Sequence, residues 1–125
     1  MIHGIVIIFL LLATAFAAVH AFAVFASLYW YYWWFDIMMH FWGGTLLALG
    51  VFSLATFSRF HFTPTLKLML GVLLCVTVCW EVFEWLVGLY DPETYLVDTA
   101  KDMVVGFSGG LLMYAMLRRY TISKL

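Results

Sequence analysis

From Gly4 to Leu28 the chain runs without one charged side chain, and three further apolar runs of similar length follow, near Phe35 to Phe57, Leu66 to Leu89 and Asp98 to Leu117. About twenty helical residues at ~1.5 Å each cover the ~30 Å hydrocarbon core of a bilayer. Within that core every backbone N–H and C=O has to be satisfied inside its own segment, so runs of this length fold as helices. With 66% hydrophobic and only 10% charged side chains among 125 residues, nothing is left over for a soluble domain. The sequence therefore predicts an all-α membrane protein. It is a single domain over residues 1–125, a bundle of four transmembrane helices at about 4–28, 35–57, 66–89 and 98–117. A net charge of −1 points to no nucleic-acid partner and no polybasic lipid-binding segment.

The first run ends in small-residue Ala-x-Ala patterns that imitate a secretory cleavage site, but it lacks a basic leading region and is too long for a signal peptide. It reads as a retained helix, with Ala13, Ala17 and Ala21 as a stripe for close packing and His20 as a packed, hydrogen-bonded histidine near its upper end. Tyr29 to Phe35, YWYYWWF, has the aromatic density that a membrane-water interface selects; lining a pocket is the alternative. Pro64 and its neighbours in Ser58 to Thr65 end the second helix in an aqueous loop, where His61 is solvated.

Five of the six basic residues, Arg59, Lys67, Arg118, Arg119 and Lys124, fall in that loop and the C-terminal tail; Lys101 is alone on the opposite side. Positive-inside placement then puts both termini in the cytoplasm. The head of the second helix, the end of the third and the head of the fourth point outward.

Those three ends carry the chain's paired polar residues. Asp36 and His40 are four apart, Glu81 and Glu84 three apart, Asp98 and Asp102 four apart, so each pair shares a helix face. Gly43 and Gly44 follow the first pair, and Gly106 with Gly109 or Gly110 follow the third, so helices can approach closely beneath the acids. Cys75 and Cys79 lie on the face of the third helix opposite Thr77, Glu81 and Glu84, one turn apart, and say nothing about redox compartment.

Five carboxylates and a histidine at one level of a small bundle cannot all be ionised and unpaired. A lone charge in the membrane centre costs about +2.5 to +3.5 kcal/mol even on the gentlest scales, and Lys101 can neutralise only one acid. Bound cations, protons or water must balance the rest. A metal site on Asp36, His40, Glu81, Glu84, Asp98 and Asp102 is the sharpest solution, since such oxygen-rich ligands suit Mg2+, Mn2+, Ca2+ or Zn2+. A di-iron box is disfavoured, because Glu84 stands where the Glu-x-x-His motif requires histidine. Asp36 and Asp98 also have a plainer explanation as helix caps, with Lys101 pairing Asp98. Capping does not account for His40, Glu81, Glu84 and Asp102, which fall inside the helices.

The strings FDIMMHFWGG, WEVFEWLVG and DTAKDMVVGFSGG resemble three signature segments of the YjdF-like family of small bacterial inner-membrane proteins and, more distantly, the VanZ-like family. The resemblance covers roughly Phe35 to Leu112. It implies a prokaryotic plasma-membrane location and a shared role for Asp36, His40, Glu81, Glu84, Asp98 and Asp102, without naming a reaction.

The function these residues point to is a divalent-metal site near the outer face, serving chemistry on a lipid or lipid-linked substrate, with His40, Glu81 and Glu84 as proton-transfer candidates. No serine or cysteine nucleophile accompanies them; Thr99 and Ser108 are the nearby hydroxyls of the last helix. Two alternatives stay open: a proton- or cation-coupled transporter subunit, and an accessory subunit whose acids only join helices. Assembly as a homo-oligomer or within a larger membrane complex is open as well.

Overall fold

The computed structural model describes residues 4–57, 59 and 62–122. Among them every regular element is a helix: α1 (Gly4–Phe25), the one-turn α2 (Leu28–Tyr31), α3 (Trp33–Ala55), α4 (Leu66–Val87) and α5 (Tyr95–Ile122). The sequence-predicted His61 and Lys124 lie outside the described residues. Helices α1, α3 and α4 are long and apolar enough to cross a membrane. The 28-residue α5 is long enough, but it carries Asp98, Lys101, Asp102, Arg118 and Arg119.

The central helix is α3. It packs along α5 over most of its length, receives α1 on another side, and with α5 holds α4. Two approaches explain the α3–α5 contact. A Cβ on Gly44 would fall onto the backbone carbonyl of Gly106, and a Cβ on Gly109 onto that of Phe41. The backbones are thus in direct contact, as small residues allow between membrane helices. Gly106, which the sequence groups with Gly109 and Gly110 as a place of close approach, has more room. Its Cβ would meet the His40 carbonyl and the Thr77 methyl at 3.6 Å, an ordinary contact. Below the glycines, Ala48, Val51, Phe52, Met69, Leu73 and Tyr114 form one buried cluster from α3, α4 and α5.

Helix α1 departs from its sequence reading. Ala17 and Ala21 are exposed, and the helix instead meets α3 through Phe9 against Gly50 and through Ser53 Oγ, which donates to the Ile5 carbonyl at 3.4 Å. Its only buried residues are Val6 and Ala23. The helix also stops at Phe25, because Ser27 takes a left-handed conformation, φ 57°. That turn brings Tyr29 back beneath the bend, where its hydroxyl lies 2.7 Å from His20 Nδ1. Helix α4 closes at Gly88, φ 74°, with Leu89 N donating to the Glu84 carbonyl. This is the left-handed terminus that glycine adopts most cheaply.

The aromatic run serves both roles weighed for it. Trp30, Tyr31 and Trp33 are each at least 70% exposed, as interface residues would be, and Tyr29, Trp30 and Trp33 also line a cavity, while Phe35 is buried beside Tyr29.

Candidate functional site

The paired acids converge where α3 begins, α4 ends and α5 begins. Asp36 and His40 stand on successive turns of α3, with His40 Nε2 3.3 Å from Asp36 Oδ1. The same Nε2 lies 3.7 Å from Asp102 Oδ2, one turn above the Gly44–Gly106 approach. That glycine contact is the reason an α3 imidazole reaches an α5 carboxylate.

Ligand atoms of Asp36, His40 and Asp102 all fall within 4.8 Å of one another, and so do those of His40, Glu81 and Glu84. Two oxygens on opposite sides of a cation at ~2.3 Å would be about 4.6 Å apart, so both triads have the span of a coordination sphere. His40 belongs to both. Glu81 is buried and anchored, its Oε2 accepting from Thr99 Oγ1 of α5 at 2.8 Å. The sequence singled out Thr99 only as a hydroxyl; its position three residues before Asp102, on the same face, was the available signal.

Asp102 has the most constrained environment. Its side chain is 5% exposed, and its buried Oδ1 has no hydrogen-bond partner among the described residues. Lys101 Nζ is 4.0 Å from that oxygen, but it donates to Asp98 Oδ1 at 3.0 Å instead. Asp98 stands apart from both triads. It is 46% exposed, takes a second hydrogen bond from Thr94 Oγ1, and occupies the mouth rather than the cluster.

Neither acid caps a helix. Because α5 starts at Tyr95, Asp98 is already within its first turn, and Asp36 is within the first turn of α3, which starts after Tyr32 with no side-chain cap. Both still complement the positive N-terminal end of a helix dipole.

A cavity of about 320 Å³ opens onto the cluster, lined by Asp36, Glu81, Glu84, Asp98 and Asp102 and walled by Tyr29 and Trp33. Pockets of this size are ordinary for small ligands or headgroups. Burial, reinforced by the Asp36 and Glu84 carboxylates, pushes the Tyr29 hydroxyl above its usual range, so at neutral pH it stays protonated beside His20.

Cys75 and Cys79 are exposed on the far side of α4, as the helical wheel predicts. Cys75→Ala and Cys79→Ala are therefore expected to leave the melting temperature, and its response to added divalent ions, unchanged. A changed response in either variant would place the glutamates on the wrong face of the helix.

Apolar membrane-length helices around a buried cluster of acids and one histidine define an integral membrane protein with a polar chamber at one end of its bundle. The chain belongs to the family described as predicted membrane protein (DUF2238), whose model matches residues 2–123. No curated protein and no solved structure matches it.

Proposed function

We propose that this protein binds a divalent cation between α3, α4 and α5 and applies it to a lipid or lipid-linked substrate. The observation that carries the proposal is Asp102: a carboxylate 5% exposed in the wall of a chamber of further acids, with one buried oxygen that accepts no hydrogen bond among the described residues. A buried charge of this kind calls for a positive counterpart, and the nearest ammonium is bonded to Asp98.

Asp36, His40 and Asp102 would form the primary ligand set, with Glu81 and Glu84 across the chamber and Asp98 guiding cations at its mouth. An oxygen-rich set with one imidazole suits Mg2+, Mn2+, Ca2+ or Zn2+. Such an ion supplies Lewis-acid polarisation of a phosphate or ester oxygen. His40, Glu81 and Glu84 are the groups placed to accept or return a proton. Elemental analysis in mild detergent tests the proposal directly. About one divalent ion per chain is expected; absence of any ion, with no thermal response to added Mg2+, Mn2+, Ca2+ or Zn2+, would sink it.

We further propose that α5 is a fourth span and that both termini are cytoplasmic, which sets the chamber at the outer face. The resemblance to YjdF-like proteins supports a bacterial plasma membrane. In a Cys75→Ala/Cys79→Ala background, Glu93→Cys and Arg59→Cys should label from opposite sides. Labelling of both from one side would overturn the four-span topology.

A transporter is the weaker alternative. The buried cluster from Ala48 to Tyr114 packs apolar side chains beneath the acids, and the polar side chains of that half, such as Thr45, Ser53 and Ser108, are scattered among the described residues. The accessory-subunit alternative draws on α1, whose sparse burial leaves a long apolar face for lipid or another chain.

A further inference from the structure

A second cavity, about 240 Å³, lies directly beneath the first and shares His20, Tyr29, Asp36 and Glu84 with it. Apart from His40 and Thr77, its remaining side-chain walls are of another character: Phe16 from α1, Met39, Leu46 and Leu47 from α3, and Val76 and Trp80 from α4. It occupies the gap left because α1 packs on α3 but not along α4; among the described residues the His20 ring, 5.7 Å from that of Trp80, bridges the two helices. A chamber walled mainly by apolar side chains favours apolar matter over water along those walls.

We propose that the two cavities form one amphiphile site, whose ligand is a single-chain lipid with a phosphate head. This rests on the cation reading above and names the substrate class it would serve. The tail enters between α1 and α4, past His20 and Trp80, and lies against Phe16, Leu47 and Val76. The head rises between Asp36 and Glu84 into the acidic chamber. An anionic head fits there only with the divalent ion in place, with Lys101 as the one lysine or arginine lining that chamber among the described residues. At about 240 Å³ the lower chamber is matched to a single hydrocarbon chain.

Phosphate amphiphiles also partition into detergent, so the informative quantity is the ratio between variants under identical conditions, where partitioning cancels. Radiolabelled decyl phosphate, inorganic phosphate and decylamine are the probes, each measured with and without Mn2+. Val76→Trp fills the tail chamber from a residue that is 41% exposed on its own helix. Gly43→Leu fills it from α3, where a Cβ meets only the Phe16 ring, at 3.9 Å. Both should keep the Mn2+ response of the native protein. Each methylene denied its apolar contact weakens binding about fourfold, so loss of two or more lowers decyl phosphate affinity at least tenfold. Inorganic phosphate affinity should be unchanged.

Mn2+ binding without decyl phosphate binding, or decyl phosphate binding equally well to native protein and both variants, overturns the amphiphile site and leaves the cation site standing. Decylamine binding in preference to decyl phosphate, independent of Mn2+, overturns both. If either variant fails to fold, the other carries the test, and on the native protein inorganic phosphate binding as tightly as decyl phosphate overturns the tail chamber by itself.

Discussion

Gly44→Leu should prevent the protein from accumulating in folded form, whereas Gly106→Ala should leave it intact. The two glycines face each other, yet only one of them is sterically closed. Any side chain on Gly44 runs into the Gly106 carbonyl, a backbone atom that cannot turn aside, and relief requires α3 and α5 to separate. Those helices share the largest interface in the bundle, so a separation spreads into the cluster around Ala48 and Leu73. Overpacking of this kind costs about 3 kcal/mol, and a branched side chain against backbone lies at the high end. A Cβ at Gly106 makes only ordinary contacts. The measurement is the melting temperature and the monodisperse fraction in detergent. Equal loss in both variants would mean that α3 and α5 do not cross as closely as described.

The second large effect concerns His40. Because it belongs to both ligand triads, His40→Ala should abolish the stabilisation conferred by a divalent ion, and Asp102→Asn and Glu81→Gln should each weaken it severely. At a hundredfold excess over Kd, a ligand that binds only the folded state adds about 2.7 kcal/mol. That increment should vanish in His40→Ala. Groups that act as one charge-compensated cluster are non-additive, so any double combination should lose little more than the worse single change. Glu93→Gln, in the connection between α4 and α5 and away from the cavity lining, serves as the acid-removing control and should retain the full increment. Additive losses, or an undiminished response in His40→Ala, would mean that the three acid pairs are separate features with no common ion.

Much of this was legible before any coordinate. The membrane class followed from run length and charge, since an apolar helix cannot be hidden from water in so short a chain. The convergence of Asp36, His40, Glu81, Glu84 and Asp102 was legible too, because each pair shares a face and all lie at helix ends that alternate in direction. Asp98 was grouped with them on spacing alone. One turn of helix carried it to the mouth, where Thr94 and Lys101 hold it.

The remainder needed the packing. Periodicity marks which side of a helix is small, but which glycine meets a backbone depends on the crossing point of two helices far apart in sequence. That is why Gly44 and Gly109 are closed while Gly106 is not. The alanine stripe of α1 failed for a related reason: without a hydrophobic drive between helices in lipid, the contact was settled by Phe9 at Gly50 and Ser53 at Ile5. The sequence alone determined that the chain is a bundle of apolar helices with acids gathered at one end. Tertiary structure alone decided that His40 stands between two carboxylate groups, that one Asp102 oxygen is buried without a hydrogen bond among the described residues, and that a mainly apolar chamber opens beneath them, because these are properties of the gaps between helices and no single helix encodes them.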